Sequence, residues 1–83
     1  MGRYFVGTLA PGQTIRPALS FATPFNPAGD WGGSYVLAHP RTADAQLVCD
    51  FHGKMLDSTT GRYFYILSIT NRGPLATEVD VDF

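Results

Sequence analysis

The segment from Arg62 to Gly73 constrains the fold of this chain more than any other segment. It is rich in aromatic and β-branched residues, which favour strands, and it ends in an Asn-x-Gly sequence that is typical of a turn. Successive side chains of a strand point to opposite faces, and one face here would carry Tyr63, Tyr65, Leu67 and Ile69. The opposite face is also apolar where the strand begins. We therefore predict a central β-strand over residues 62–70 that needs cover on both sides.

Proline and glycine recur along the whole chain and leave no uninterrupted segment long enough for a helix of ordinary length. The segments between them have the length of strands, and they cover residues 3–9, 13–22, 33–39, 45–52, 62–70 and 75–83. Short strands separated by turn signals are typical of a sandwich or a barrel. We therefore predict an all-β fold, a small antiparallel β-sandwich of about six or seven strands, formed as a single domain over residues 1–83.

The final segment, from Thr77 to Phe83, alternates between apolar and acidic side chains. One face carries Val79, Val81 and Phe83, and the other carries Glu78, Asp80 and Asp82. This pattern predicts a strand with one buried face and one face in water. Because the short turn at residues 71–74 joins it to the strand over residues 62–70, we predict that these two strands pair antiparallel with the acids on the outside. Such charges discourage association through the strand edge.

Several breakers predict specific irregularities. The sequence Ala10-Pro11-Gly12-Gln13 predicts a turn between two paired strands, so residues 3–16 would form a hairpin. Pro17 predicts an edge strand or a bulge, because proline has no N–H to donate to a neighbouring strand. Gly53 permits a bend or bulge. The residues from Asp57 to Gly61 have the length and composition of a hairpin loop into the central strand.

The order of these features resembles that of small bacterial immunoglobulin-like or fibronectin-like β-sandwich modules. The similarity rests on the Pro-Gly-Gln turn at Pro11, the single Trp31 and the last strand ending in Phe83. It rests also on Tyr65 to Gly73, which is similar to the Tyr-x-Ile-x-Val-x-Asn-x-Gly pattern of the strand before the last in such modules. The resemblance implies an immunoglobulin-like topology and a role in adhesion, spacing or ligand presentation. It implies no catalytic residue.

The composition excludes several classes of function. Charged residues make up 16% of the chain, against roughly 25% in typical globular proteins, and the formal net charge is −1. The positive surface of a nucleic-acid-binding protein or of a basic membrane-surface module is missing, so we expect no nucleic acid and no membrane as a partner. The only cysteine is Cys49, which excludes an intramolecular disulfide. No segment resembles a signal-peptide core or approaches the ~20 apolar residues of a membrane span, and the localisation stays open.

A candidate enzyme or metal site consists of His39, Asp50 and His52. Asp50 and His52 share one face of the predicted strand over residues 45–52, and His39 lies in the strand before it. The three side chains could bind a metal ion or orient an imidazole, but a solvated polar face is the simpler interpretation. In this interpretation Cys49 is a small hydrophobic core residue. Serine-hydrolase and phosphate-loop motifs are absent from the sequence, so we expect no catalytic residue, no metal and no cofactor.

The best candidate for a binding surface surrounds Trp31. We interpret residues 21–33 as a long loop that is anchored by its aromatic residues, and the candidate ligand-binding residues in and after it are Asn26, Asp30, Trp31 and Tyr35. An indole ring beside amide and carboxylate groups can stack on a sugar or anchor a protein contact. A ring buried in the core is the competing interpretation of Trp31.

Three functions follow from these observations. The leading hypothesis is a non-catalytic binding or structural module that acts through protein–protein contacts, as a homo-oligomer or as part of a larger assembly. It is motivated by a chain that is rich in aromatic residues and poor in charge. The alternative is a small carbohydrate-binding or adhesion module that uses the aromatic loop around Trp31. An enzyme with a site at His39, Asp50 and His52 is the third.

Overall fold

The computed structural model describes residues 2–32 and 36–83, without the side chains of residues 51 and 52. All regular structure in these residues is β, which confirms the all-β part of the predicted fold class. The strands are β1 (Arg3–Leu9), β2 (Thr14–Ile15), β3 (Ala18–Leu19), β4 (Leu37–Pro40), β5 (Leu47–Asp57), β6 (Arg62–Asn71) and β7 (Thr77–Asp82). No helix in this part of the chain is long and apolar enough to cross a membrane.

The strands form two antiparallel sheets. In the first sheet β7 lies between β1 and β4. In the second sheet β6 is central, as predicted, with β5 along one side and with β2 and β3 in succession along the other. β2 and β3 keep one register against β6 and are interrupted at Pro17, whose carbonyl oxygen accepts the N–H of Leu67 at 3.1 Å. The prediction that Pro17 marks an edge strand is therefore confirmed.

The predicted hairpin between β5 and β6 is also confirmed. The two strands pair over their whole length, and the loop between them is closed where the N–H of Gly61 donates to the carbonyl oxygen of Asp57 at 2.8 Å. Gly61 has a φ of 69°, a conformation that glycine adopts without strain. The register of β5 shifts between Phe51 and Gly53, so the predicted bulge lies where the sequence placed it.

Two predicted strand pairs are wrong. β6 and β7 lie in different sheets, so the final strand does not pair with the central strand. β1 and β2 likewise lie in different sheets, and the turn closed by the bond from Gln13 N–H to Ala10 O (3.0 Å) leads from one sheet to the other. The alternation of side chains in the last strand correctly places Val79 and Val81 in the core. It does not show which strand lies beside it, because a short turn can join neighbours in one sheet or cross to the facing sheet.

The core lies between the two sheets and receives side chains from both. Its fully buried apolar side chains come from β1, β6 and β7, and they are Leu9, Leu67, Ile69, Val79 and Val81. Val79 and Val81 lie on the face of β7 that the sequence pattern assigns to the core, whereas Phe83, assigned to the same face, is 40% exposed. Two antiparallel sheets that share one core are consistent with a β-sandwich.

One end of this elongated molecule, where β6 begins and β7 ends, collects most of the aromatic side chains. The ring of Phe21 packs 4.6 Å from that of Phe83 and 5.6 Å from that of Tyr65, between centroids. The backbone of Gly2 pairs with that of Phe83, which brings the start of β1 to the same place. We call this region the aromatic end, and it contains Tyr4, Phe21, Phe25, Trp31, Tyr65 and Phe83.

Candidate functional site

The loop over residues 20–32 folds against the aromatic end, as its aromatic content predicts. The backbone N–H of Trp31 donates to the hydroxyl of Tyr65 at 2.7 Å. Its indole N–H donates to the carbonyl oxygen of Phe21 at 2.9 Å. Farther along the loop, the carbonyl oxygen of Ala28 accepts the N–H of Tyr63 at 2.7 Å. The loop is therefore held to the first residues of β6 by its own backbone.

The structure brings three of the predicted site residues together, and their polar groups bind one another and the loop. The side-chain amide of Asn26 donates to the carbonyl oxygen of Asp30 at 2.8 Å. One carboxylate oxygen of Asp30 accepts the Nζ of Lys54 at 2.7 Å and the N–H of Gly32 at 3.1 Å. The hydrogen bond from Lys54 and then the one from Gly32 lower the pKa of Asp30. Tyr35, the fourth predicted site residue, lies outside the described residues.

The most exposed apolar side chain of the described residues is Phe25, which the sequence interpretation did not select. Its side chain is 99% exposed, whereas that of Trp31 is 49% exposed. Phe25 follows Pro24 in a tight turn that is closed by two backbone hydrogen bonds of 3.0 and 3.1 Å between Thr23 and Asn26. Proline in the first central position of a turn directs the next residue to the tip. The sequence Thr23-Pro24-Phe25-Asn26 therefore marks Phe25 as a turn residue, and the structure shows that its side chain points outward.

A pocket of about 360 Å³ lies beside this turn. Its lining combines four large apolar side chains with four small residues, and these are Tyr4, Leu19, Phe21 and Phe83 with Ala18, Ser20, Ala22 and Thr23. Among the described residues, no charged side chain lines it. The arrangement suits an apolar group, because little polar surface would lose its water when the pocket is filled.

A second feature, on the outer face of the first sheet, corrects the prediction that Asp80 faces water. The side chain of Asp80 is only 3% exposed. Arg41 donates to both of its carboxylate oxygens at 2.7 Å, and the same guanidinium donates to Glu78 at 2.9 Å and lies 5.1 Å from the ring centroid of Phe5. The two hydrogen bonds from Arg41 lower the pKa of Asp80. The cluster covers the middle of β7, so we assign it a structural role.

We expect Arg41→Ala to lower the melting temperature roughly twice as far as Arg3→Ala, or more, because only the first variant leaves a buried carboxylate without its cation. Arg3 is the matched control, since it forms a comparable pair with Asp82 at 2.6 Å on the more exposed part of the same face. Thermal melts monitored by circular dichroism compare the two. Equal shifts would show that Asp80 is hydrated in solution.

The carboxylates that pair with cations predict how stability depends on pH. Hydrogen-bonded cations lower the pKa values of Asp80, Asp82 and Asp30 below the ordinary value of 3.8. A carboxyl group with a lowered folded-state pKa stabilises the fold above its unfolded pKa, and this contribution is lost as the pH falls through the folded value. The melting temperature should therefore stay constant from about pH 7 to pH 5 and fall below about pH 4. The melting temperature of Arg41→Ala should fall less than that of the wild type when the pH is lowered from about 5 to below about 4.

The residues considered for an enzyme or metal site have different partners. His39 lies opposite Asp80 in the first sheet, and its Nδ1 is 3.5 Å from a carboxylate oxygen of Asp82. Asp50 is exposed and lies opposite Ser68 in the second sheet. The side chain of His52 lies outside the described residues. The described part of the chain contains no group of three His, Cys, Asp or Glu side chains that could hold a metal ion.

Comparison with known proteins gives no further indication of function. No protein-family model matches the chain, and neither a curated protein nor a solved structure matches it significantly. Any functional proposal therefore rests on the geometry of the aromatic end.

Proposed function

We propose that this chain is a non-catalytic binding or structural module that acts through protein–protein contacts at its aromatic end, within a homo-oligomer or a larger assembly. The observation that carries the proposal is the complete exposure of Phe25 on a closed turn. Burying a phenylalanine side chain stabilises a protein by roughly 1.5–3 kcal/mol relative to leaving it in water. A contact that covers Phe25 recovers this free energy for association.

The neighbourhood of Phe25 supports the proposal. Other exposed apolar side chains lie at the same end of the molecule, where β1 and β6 begin and where β5 and β7 end. They are Tyr4, Leu56, Trp31 and Phe83. Leu75, by contrast, is an exposed apolar residue at the opposite end of the molecule. Aromatic residues grouped in this way are typical of the centres of protein interfaces.

The carbohydrate-binding alternative has one observation in its favour, the half-exposed ring of Trp31. Sugar hydroxyls also need hydrogen-bonding partners, and the Asn26 amide and an Asp30 oxygen already bind groups of this chain. We therefore place protein contact first. Binding to a glycan array that is lost in Trp31→Ala would reverse this order.

A relationship to immunoglobulin-like modules stays a prediction within this proposal. It is supported by the seven strands that the described residues form, which make two antiparallel sheets with a shared core. One feature departs from it, because the last two strands of an immunoglobulin domain pair in one sheet whereas β6 and β7 do not.

Site-specific cross-linking in the cells that make the protein tests the proposed function. We expect a photoreactive residue at position 25 to cross-link to protein, because Phe25 is fully exposed beside other apolar side chains. The same residue at position 75 is the matched control, since Leu75 is exposed at the opposite end. Mass spectrometry identifies the captured chain. Equal labelling from both positions, or no protein adduct at position 25, would contradict the proposal.

A further inference from the structure

We infer that the partner of the aromatic end is a second copy of this chain, and that Phe25 of each copy fills the apolar pocket of the other. The inference rests on the proposed function and names the partner for it. The chain carries both halves of this contact, an apolar side chain without cover and an apolar pocket with room for it.

Phe25 is presented in a fixed position. The turn that carries it is closed from Thr23 N–H to Asn26 O and from Asn26 N–H to Thr23 O, and the hydroxyl of Thr23 accepts the Asn26 N–H as well, at 3.0 Å. Pro24 and Pro27 flank the turn and restrict its backbone. Little conformational entropy is therefore lost when Phe25 is bound, which favours association.

The pocket has a suitable size and lining. Its volume of about 360 Å³ lies near the lower limit of the roughly 300–1,000 Å³ found for small ligand pockets, so it accommodates a single ring. The rings of Phe21 and Phe83 form part of its wall and can contact another aromatic ring edge to face. Phe25 does not fill the pocket of its own copy, because it is 99% exposed.

The positions of the side chain and the pocket favour a two-fold dimer. Thr23 lines the pocket and also closes the turn of Phe25, so the two features lie side by side on one surface. In a two-fold interface the same patch of both copies is used, and residue i contacts residue j while j contacts i. Two copies facing each other can therefore make both contacts at once.

Charge and area set the expected strength. No charged side chain lies in the pocket lining or in residues 23–28, and the net charge of −1 gives little repulsion between copies. An aromatic side chain buries about 150–250 Å² when it is fully covered, so Phe25 with the exposed parts of Tyr4 and Phe83 supplies on the order of 400 Å² per copy. This is about half of the ~800 Å² per partner of a standard interface. We expect a weak dimer with a Kd on the order of 100 μM.

Sedimentation equilibrium of the purified chain between about 20 μM and 1 mM brackets that Kd. Phe25→Ala should weaken the dimer at least about tenfold, as expected of a central aromatic anchor. Ala18→Glu, which places a charge on an exposed wall of the pocket, should do the same. Leu75→Ala at the opposite end should leave the Kd unchanged. Circular dichroism spectra of all variants check that the fold is kept.

Mixing the two weakened variants gives the decisive result. Phe25→Ala keeps an intact pocket, and Ala18→Glu keeps the Phe25 side chain. In a mixed pair Phe25 of the second variant can fill the pocket of the first, whereas a pair of identical variants can make neither contact. We expect the mixture to associate more tightly than either variant alone. A wild-type monomer at 1 mM, a dimer unaffected by Phe25→Ala, or no gain on mixing would each overturn the inference. If position 25 then still cross-links to a different protein, the proposed function stands with another partner.

Discussion

Val81→Asp is expected to unfold most of the chain at room temperature. Val81 is fully buried near the end of β7, the middle strand of its sheet, where it lies between Tyr4 of β1 and Ala38 of β4 in register. An aspartate there would place a carboxyl group among apolar core side chains, where it must take up a proton or force the core open. The expected loss is several kcal/mol from a total stability of roughly 5 kcal/mol.

Leu75→Asp is the control for this substitution, because it introduces the same group at an exposed apolar residue next to the same strand. Its melting temperature should remain close to that of the wild type. Far-ultraviolet circular dichroism and thermal melts compare the three proteins. A cooperative transition for Val81→Asp near the wild-type temperature would show that β7 is not the central strand of its sheet.

The sequence predicts much of this architecture because its strongest signals are local. Side-chain alternation correctly assigns Val79 and Val81 of β7 to the core, as their full burial shows. For β6, which begins with apolar residues on both faces, alternation leaves the core face open, and the structure buries Leu67 and Ile69. Pro17 and Gly53 mark the edge strand and the bulge for steric reasons that act within a few residues. These features need no knowledge of distant segments.

The features that the sequence does not predict depend on contacts between distant segments. Asp80 is buried because Arg41 reaches it from a segment 39 residues away in sequence, and acidic alternation alone gives no sign of that pair. A further consequence is that Asp80→Val should destabilise the fold, because Asp80 is buried and is the principal partner of Arg41. The assignment of β6 and β7 to different sheets likewise depends on the packing of the segment between them.

In the candidate site, too, some features follow from the local sequence and others depend on the folded structure. The aromatic loop and its attachment near Trp31 follow from composition, and Asn26, Asp30 and Trp31 do come together. Their polar groups stabilise the loop, however, and the most exposed apolar side chain in residues 2–32 and 36–83 is that of Phe25. Sequence composition does not show whether an aromatic residue in a loop points inward or outward, because that depends on the backbone direction at a single turn.

Asn71 holds together the opposite end of the molecule. Its side chain is fully buried, and its amide donates to the carbonyl oxygens of Leu9 at 3.1 Å and of Leu75 at 2.7 Å. Its Oδ1 accepts the N–H of Gly73 at 3.0 Å. One side chain therefore connects the end of β1 in the first sheet with the end of β6 in the second and with the segment that leads to β7. This geometry explains how the chain crosses between sheets after β6.

Asn71→Ala should therefore lower the free energy of unfolding by about 3 kcal/mol, because it leaves these backbone groups without partners in a buried environment. Asn71→Asp keeps the shape and the acceptor for Gly73 but lacks both donors, and its charge lies beside two carbonyl oxygens. It should be at least as destabilising as the alanine variant at neutral pH. Gln46→Ala, which removes an exposed amide from a neighbouring segment, should change stability by less than about 0.5 kcal/mol. Urea denaturation of the four proteins measures these differences, and full stability of Asn71→Asp would show that the two donated bonds do not hold the sheets together.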